Sequence, residues 1–435
     1  MIREALTAAC GETREGRPAD AIGGAGGDSG AGGDSGAGGW IVPAVVALPG
    51  STEEAAAVMR VAAEHELAVV VCGAGGRLGW GGGRVGWGVP ATRCDLLIDM
   101  SRMGAVAEHS SGDLVARVQA GARMGDVAAV LAEAGQEIAL DVPDGATVGG
   151  VVASGLAGPR RLRYGTPRDL LIGITIVRAD GTVARSGGKV VKNVAGYDLG
   201  KLLAGSAGTL ALITEATFRL HPLPAARAYV TAEYVAAGVA CDAVATAANS
   251  PLVASAVELS RPEPDGPLRV GVLLEGSADG VAARATRMAA LLGAAEISAS
   301  PPSWWPGPPE AGDGETLVQV SFWVSALPRV LDAIDAAARD SGLSPAIAGS
   351  AGAGVLYLRL GEGENITRFI NVLRSALAGE RGAVVVLAAP TTVREALAGE
   401  GGMAGTVPAL ALMRAVKDQF DPGHRMAPGR FPEVM

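Results

Sequence analysis

The residues best suited to chemistry in this chain are glycines, hydroxyls and arginines gathered between positions 143 and 165, PDGATVGGVVASGLAGPRRLRYG. Six glycines in these 23 residues (Gly145, Gly149, Gly150, Gly155, Gly158, Gly165) permit conformations that a Cβ blocks, and let peptide N–H groups approach anionic oxygens. Thr147 and Ser154 add hydroxyl donors, and Arg160, Arg161 and Arg163 add positive charge beside them. Taken alone, the run equally suits a glycine-rich helix packed tightly on a sheet. Two further glycine turns, at residues 73–83 and 205–208, shift the balance toward an anionic ligand held by several loops.

Regular structure must carry these turns. Residues 41–48 read as a strand, Ser51 with Glu54 as a capping box, and residues 53–66 as a helix with apolar spacing Ala56, Met59, Val61, Ala63, Leu67. The wholly apolar stretch 68–72 reads as a buried strand that completes a β-α-β unit. The loop that follows is not a Rossmann turn. Counted from Gly73, the GxGxxG template needs glycine at 78, where Leu78 stands, and the following WGGGRVGWG cannot form the required helix. A nest of backbone amides without a helix dipole is the alternative.

Further strands are expected at 96–100, 115–119, 169–178 and 209–220, and a helix at 125–134 that stops at Gly135. Residues 147–157 should open with backbone donors facing outward and continue as a short apolar helix. Asp180-Gly181 marks a hairpin turn, and residues 198–204 a short helix closed by Gly205. The repeats GGAGGDSGAGGDSGAGG (23–39) place residues 1–39 in a flexible Gly-rich tail.

Composition narrows the function. A chain of 435 residues suggests two domains. With 45 acidic and 36 basic residues, the net charge of −9 gives no pull toward nucleic acid, and aromatics at 4% supply few stacking platforms. Cys10, Cys72, Cys94 and Cys241 form no CxxC pair, which argues against zinc, iron–sulfur ligation or a disulfide framework and for a reducing compartment. Apolar runs such as 170–177 are strand length, so cytoplasmic placement is expected, with any membrane association through a partner.

Four stretches carry a resemblance: GLAGPRR (155–161), YGTPRDLLIG (164–173), VVKNVAGYDLGKLLAGSAGTLALITEA (190–216) and FDPGHRMAPGR (420–430). With them, residues 40–222 resemble the PCMH-type FAD-binding domain of the vanillyl-alcohol-oxidase class of flavoprotein, and the FAD-binding E-subunit family of bacterial glycolate oxidases. The resemblance implies an α+β chain: a two-lobed, mixed α/β FAD-binding domain (40–222), an α+β cap domain (223–405), and a C-terminal segment (406–435) that packs back on the FAD domain. It implies that Gly73, Ala74, Gly75, Gly76, Arg77, Leu78 and Gly79 form the pyrophosphate loop. Pro143, Asp144, Thr147, Gly149, Gly150, Ser154 and Gly155 would pass along the pyrophosphate and ribityl chain, with Tyr164 and Gly165 close behind. Gly208, Thr209, Leu210 and Ile213 would border adenine and ribose, Lys192, Asn193, Tyr197 and Asp198 would brace the isoalloxazine, and Arg430 would close the site. For Lys192 to Asp198 a structural turn with a helix cap remains open as the alternative.

Two departures from the family pattern matter. The first loop lacks the histidine that anchors flavin covalently in many relatives, so FAD should be held non-covalently. The family's terminal NPGR reads APGR, with Ala427 in place of asparagine. In the cap region, strands near 228–234, 253–259, 268–274, 316–324, 355–360 and 383–387 interleave with helices near 281–292, 330–338 and 366–378. Trp304 and Trp305 lie in a proline-stiffened loop, either as a protein interface or as pins to their own domain. None of the four histidines (His65, His109, His221, His424) lies there and no HxH or HxxxH pair exists, so no metal site is expected. Arg269, Arg359 and Arg368 could clamp a carboxylate or simply be solvated, and no catalytic residue is assigned. Three functions stay open. The favoured one is the FAD-binding subunit of a glycolate oxidase complex, with a catalytic flavoprotein subunit and an iron–sulfur subunit as partners and a small 2-hydroxy acid oxidised by the complex. The others are an autonomous FAD-linked 2-hydroxy-acid dehydrogenase and a non-catalytic assembly subunit.

Overall fold

The computed structural model describes residues 2–22, 41–73, 91–189, 198–263, 266–293, 295–307, 311–312, 314–380, 382–398 and 401–430. The chain divides into two compact units. The first contains Met1–Leu156, Thr166–Pro222 and Val407–Met435, and the second Ala157–Gly165 and Leu223–Thr406. The short stretch Ala157–Gly165 therefore belongs with the second unit, although it falls inside the expected span of the FAD domain.

In the first unit, α1 (Ile2–Cys10) and β1 (Thr13–Glu15) precede β2 (Val45–Ala47), α2 (Thr52–Glu64), β3 (Val69–Cys72) and β4 (Leu96–Asp99). The expectation of a tail through residue 39 is corrected for residues 2–22, and the glycine repeats at 23–40 lie outside the described residues. Spacing explains the correction: Leu6 and Cys10 fall one turn apart on α1 and are buried, and β1 pairs antiparallel with β2. Ser51 caps α2 by accepting from Glu54 N at 3.1 Å, and Ala55, Val58, Met59 and Ala62 form the buried face. Strands β2, β4 and β3 run parallel in the order β1-β2-β4-β3. An ion pair between half-buried Arg14 and buried Asp20 anchors the N-terminal elements, with Asp20 taking hydrogen bonds from Arg14 and from Arg17 N.

The Arg14 hydrogen bond holds the Asp20 carboxyl below its ordinary 3.8. A depressed folded-state pKa contributes stability that is complete above about pH 4 and is lost as pH falls through the folded value. Asp20→Asn should therefore cost about 1.5 kcal/mol or more at neutral pH. It should also flatten the acid limb of a far-UV titration, and an unchanged acid limb would remove this pair from the stability of the fold.

A second sheet of the first unit follows the order β5-β6-β9-β7-β8, built from β5 (Val106–Ser110), β6 (Val115–Gln119), β7 (Leu171–Val177), β8 (Val183–Gly187) and β9 (Leu212–Arg219). Between β6 and β7 lie α3 (Met124–Ala132) and α4 (Val148–Ser154). The Asp180-Gly181 hairpin joins β7 to β8 as expected, with Gly181 at φ +81°. The expected helix at 198–204 is a 3-10 turn, Leu199–Leu202. After the C-terminal helix Leu410–Phe420, the chain adds itself to the edge of β3. Val69 N donates to Arg425 O and Ala427 N to Val69 O, both at 2.8 Å.

The second unit is one antiparallel eight-stranded sheet. Its first half runs β10 (Ala226–Tyr234), α5 (Ala237–Asn249), β11 (Ala256–Arg261), β12 (Leu268–Gly276), α6 (Ala278–Leu292), β13 (Glu296–Ser298). Its second half runs β14 (Thr316–Ser321), α7 (Leu327–Ser341), β15 (Ala346–Gly349), β16 (Val355–Leu360), α8 (Ile366–Ala376), β17 (Ala383–Ala388). Each half is a β-α-β-β-α-β unit. The sheet order β13-β10-β12-β11-β15-β16-β14-β17 joins them through the second strand of each, where Ser260 pairs with Ala348. Alternate strand residues (Val257, Leu259, Val270, Val272, Val318, Leu356, Leu358) bury against the long helices, while the opposite face carries the short helix Arg161–Tyr164, with Arg161 bonded to Tyr357 and Tyr164 to Glu275. No helix among the described residues is long and apolar enough to cross a membrane.

Candidate functional site

The central glycine segment is positioned by α4. Thr147 caps this helix by accepting from Gly150 N at 3.3 Å, Val148, Val151 and Val152 bury into the core, and Gly155 ends it at φ +67°. The other two glycine turns meet it at either end. A Cβ on Gly73, the last described residue of the first loop, would stand 2.8 Å from Thr147 Cβ and closer still to its hydroxyl. At the other end, a Cβ on Gly155 would lie 3.3 Å from Gly205 Cα, while Gly205 N and Ala207 N donate to Val152 O (3.0 Å) and Ala153 O (2.7 Å). Gly73 and the 205–208 turn, remote along the chain, thus meet on one seven-residue helix.

The expected outward-facing donors of this segment are corrected. Val148 N donates to Ala122 O at 2.9 Å and Gly149 N to Ala120 O at 2.7 Å, with Gly150 N taken up by Thr147 Oγ1. The Ser154 hydroxyl turns back to Val151 O. What Gly149 and Gly150 supply is room for close approach rather than bare amides: Gly150 is exposed, and a Cβ on Gly149 would press within 2.9 Å of Ala120 Cβ. Pro143 is half-buried and Asp144 exposed beside them.

In the third turn Gly208 adopts φ +74° and Thr209 donates to Ser206 O at 2.7 Å. Leu210 and Ile213 are buried in the core cluster. The Ser206 hydroxyl is buried with no hydrogen-bond partner among the described residues, an orphan that a polar ligand at this turn would satisfy. Ala74, Gly75, Gly76, Arg77, Leu78, Gly79, Lys192, Asn193 and Tyr197 lie outside the described residues. Asp198 is exposed at the start of the 3-10 turn, 3.7 Å from Lys201 Nζ, and Arg430 is half-buried beyond the strand-like segment at 425–428. Tyr164 and Gly165 sit in the second unit. There Tyr164 donates to Glu275 Oε2 at 3.2 Å between the guanidinium groups of Arg160 and Arg163, and burial pushes its phenol pKa up.

Sequence reasoning missed the lysine that ties the third turn to the C-terminal segment. Lys417 is buried, and its Nζ donates to Thr209 O (2.7 Å), Met426 O (3.2 Å) and Asp421 Oδ2 (2.6 Å); the same carboxylate oxygen accepts from Met426 N. Burial lowers the Lys417 pKa against the opposing pull of Asp421. The available signal was an i,i+4 Lys-Asp pair entering the quoted FDPGHR stretch. Ala427 stands at φ +45°, a left-handed conformation that costs an alanine about 1 kcal/mol. Ala427→Gly should relieve that strain and raise the thermal midpoint, and a lowered midpoint would show that the Cβ is needed for packing.

Gly150 offers a test that spares the core. Among the described residues, a Cβ there meets only Thr147 Oγ1, at 3.0 Å. Gly150→Val should therefore fold normally yet purify with much less flavin, read from the visible absorption bands. Full flavin content would exclude the α4 segment from the cofactor site.

Of the arginines considered as carboxylate clamps, Arg269 pairs with Glu233 at 2.9 Å and Arg368 with Asp340 at 2.7 Å. Arg359 is exposed and lines a cavity of the second unit.

Residues 43–187 match the family model of the FAD binding domain. The chain is 33% identical over 195 residues to glycolate oxidase subunit GlcD of Bacillus subtilis (strain 168), covering 44% of this chain and 40% of that protein. It is 39% identical over 132 residues to glycolate oxidase subunit GlcE of Escherichia coli (strain K12), covering 30% and 38%. The chain thus spans about two fifths of the length of these curated relatives. Among solved structures it is similar to p-cresol methylhydroxylase with substrate bound, at TM-score 0.72 and 16% identity over 99% of this chain and 96% of that one, a likeness of fold. The fold is the PCMH-type α+β arrangement, and FAD is the cofactor of the first unit.

Proposed function

We propose that this chain is the FAD-binding subunit of a 2-hydroxy-acid dehydrogenase complex of the glycolate oxidase type, supporting oxidation of glycolate to glyoxylate beside a catalytic flavoprotein subunit and an iron–sulfur subunit. The observation that carries it is the convergence of Gly73, the Thr147–Gly155 segment and the Gly205–Gly208 turn, the first two within residues 43–187 matched to an FAD binding domain. FAD, when bound, supplies a two-electron acceptor. The chain's own residues give it a cradle: glycines that admit close approach, the Ser206 hydroxyl that lacks a partner, and Lys417 holding Thr209 in place. Likeness to proteins named as two subunits of glycolate oxidase supports the substrate class and the multi-subunit setting. The loop sequence GAGGRLG contains no histidine, which supports non-covalent binding.

The test is anaerobic. The purified chain should be yellow, should stay yellow when glycolate or D-lactate is added alone, and should turn over with its partner subunits. Bleaching unaided would favour an autonomous dehydrogenase, a reading that the arginine-lined cavity of the second unit supports. Colourless protein that refuses added FAD would leave an assembly subunit.

A further inference from the structure

The flavin cradle draws its turns from two different sheets of the first unit. Gly73 directly follows β3 of one sheet, whereas Ser206 to Thr209 lead toward β9 of the other. Residues 417–428 are bonded to both. On the first sheet they bridge to β3 at Val69, and Thr92 N donates to Pro428 O at 2.8 Å. On the second, the Arg425 guanidinium donates to Ala179 O and Lys417 Nζ to Thr209 O, both at 2.7 Å. The hold of the lysine reaches further, because Thr209 N and Thr209 Oγ1 both donate to Ser206 O, at 3.0 and 2.7 Å. A hydrogen-bonded path from Lys417 therefore ends on the residue whose buried hydroxyl a polar ligand would satisfy.

The seating of this segment is mostly polar. The C-terminal helix fully buries one residue, and that residue is the lysine. Val416 and Phe420 pack only partly against the core, which leaves Met426 and Ala427 as the buried apolar anchors beyond the helix. Backbone strain gathers in the same places. Among the described residues seven that are not glycine have positive φ. Four of them are Ala207 in the third turn (+53°) and Ala409, His424 and Ala427 along the C-terminal segment (+57°, +49° and +45°). A left-handed backbone is unfavourable without glycine, and it persists only where the surroundings impose it, most often at binding sites and switch segments. A segment seated by polar bonds against its own strain belongs to the low end of local stability.

We propose that residues 417–428 form a clasp whose seating and FAD binding stabilise each other, with Lys417 as the positioning residue that links them. A ligand contact at Ser206 fixes the 206–209 turn and so presents Lys417 with a settled carbonyl. The seated lysine, conversely, holds that turn in the form the cofactor meets. Coupling of this kind is reciprocal: whatever unseats the clasp weakens FAD, and FAD in turn suppresses unseating by the same factor. This linkage requires FAD as the cofactor of the first unit and nothing of the subunit role proposed above.

Hydrogen–deuterium exchange of the full chain, flavin-free and FAD-saturated, tests it without turnover. FAD should slow exchange about tenfold or more, within the range of ordinary coupling energies, at Met426 and Ala427 and at the Val69 and Thr92 amides that donate to the segment. Amides of α7 in the second unit should not respond. The double variant Lys417→Met with Asp421→Asn removes the lysine without stranding a charge. It should fold, bind FAD about tenfold or more weakly, and show no FAD-dependent protection at residues 417–428. A lysine that served stability alone would lower the denaturation midpoint and leave that protection in place. The clasp is overturned if FAD binds the parent without slowing exchange in the segment, or if the double variant keeps the parent's affinity and protection. A parent chain that takes up no FAD overturns it together with the cofactor assignment, a pattern distinct from the other two.

Discussion

Replacing Gly73 by alanine should yield a protein that purifies colourless and melts well below the parent. The new Cβ would fall inside contact distance of Thr147 Oγ1, Cγ2 and Cβ together, and Thr147 cannot retreat. It is buried, caps α4 and forms a bridge to Arg123, so the clash spreads to the helix that the other turns rest on. Overpacking of this kind costs about 1–3 kcal/mol, and loss of the Thr147 cap adds about 1 kcal/mol. Flavin content and thermal midpoint should drop together, in contrast to Gly150→Val, where only flavin is lost. A stable yellow Gly73→Ala protein would mean that the first loop and α4 are not held face to face.

Lys417→Met should be the most damaging single change in the C-terminal segment. It strands the fully buried Asp421 carboxylate, one of whose oxygens already lacks a hydrogen-bond partner among the described residues, and releases Thr209 O and Met426 O. Breaking one side of a buried pair typically costs about 3–5 kcal/mol. The double change Lys417→Met with Asp421→Asn should recover much of this, because it removes the stranded charge while an amide oxygen can still accept from Met426 N. Chemical denaturation of the three proteins decides the matter: a single variant as stable as the parent would show that the pair is dispensable.

The local chemistry of α4 could be read from the chain because it is written in adjacent residues: a threonine before two glycines, then valines, then a glycine stop. The β-α-β unit was legible for the same reason, since Ser51, Glu54 and the uninterrupted apolar run at 68–72 are short-range signals. Lys417 was not. Its partners Thr209 and Met426 are brought to it by tertiary packing, and on a polar helix a lysine ordinarily faces water. The folding of residues 2–22 was hidden by the glycine repeats that follow them, although Leu6 and Cys10 carry helical spacing. The twofold β-α-β-β-α-β pattern emerged only from the strand order, since it rests on which strands pair and not on any one motif.

The edge contact made by residues 425–428 on β3 has a consequence for biosynthesis. The strand they complete emerges from the ribosome early, and they emerge only after the whole of the intervening unit has been made. Until then Val69 presents its backbone unpaired, and Thr209 awaits the lysine that fixes it. A chain that ends before the final helix would therefore leave the β3 edge at Val69 and the Thr209 carbonyl without the partners that the last residues bring.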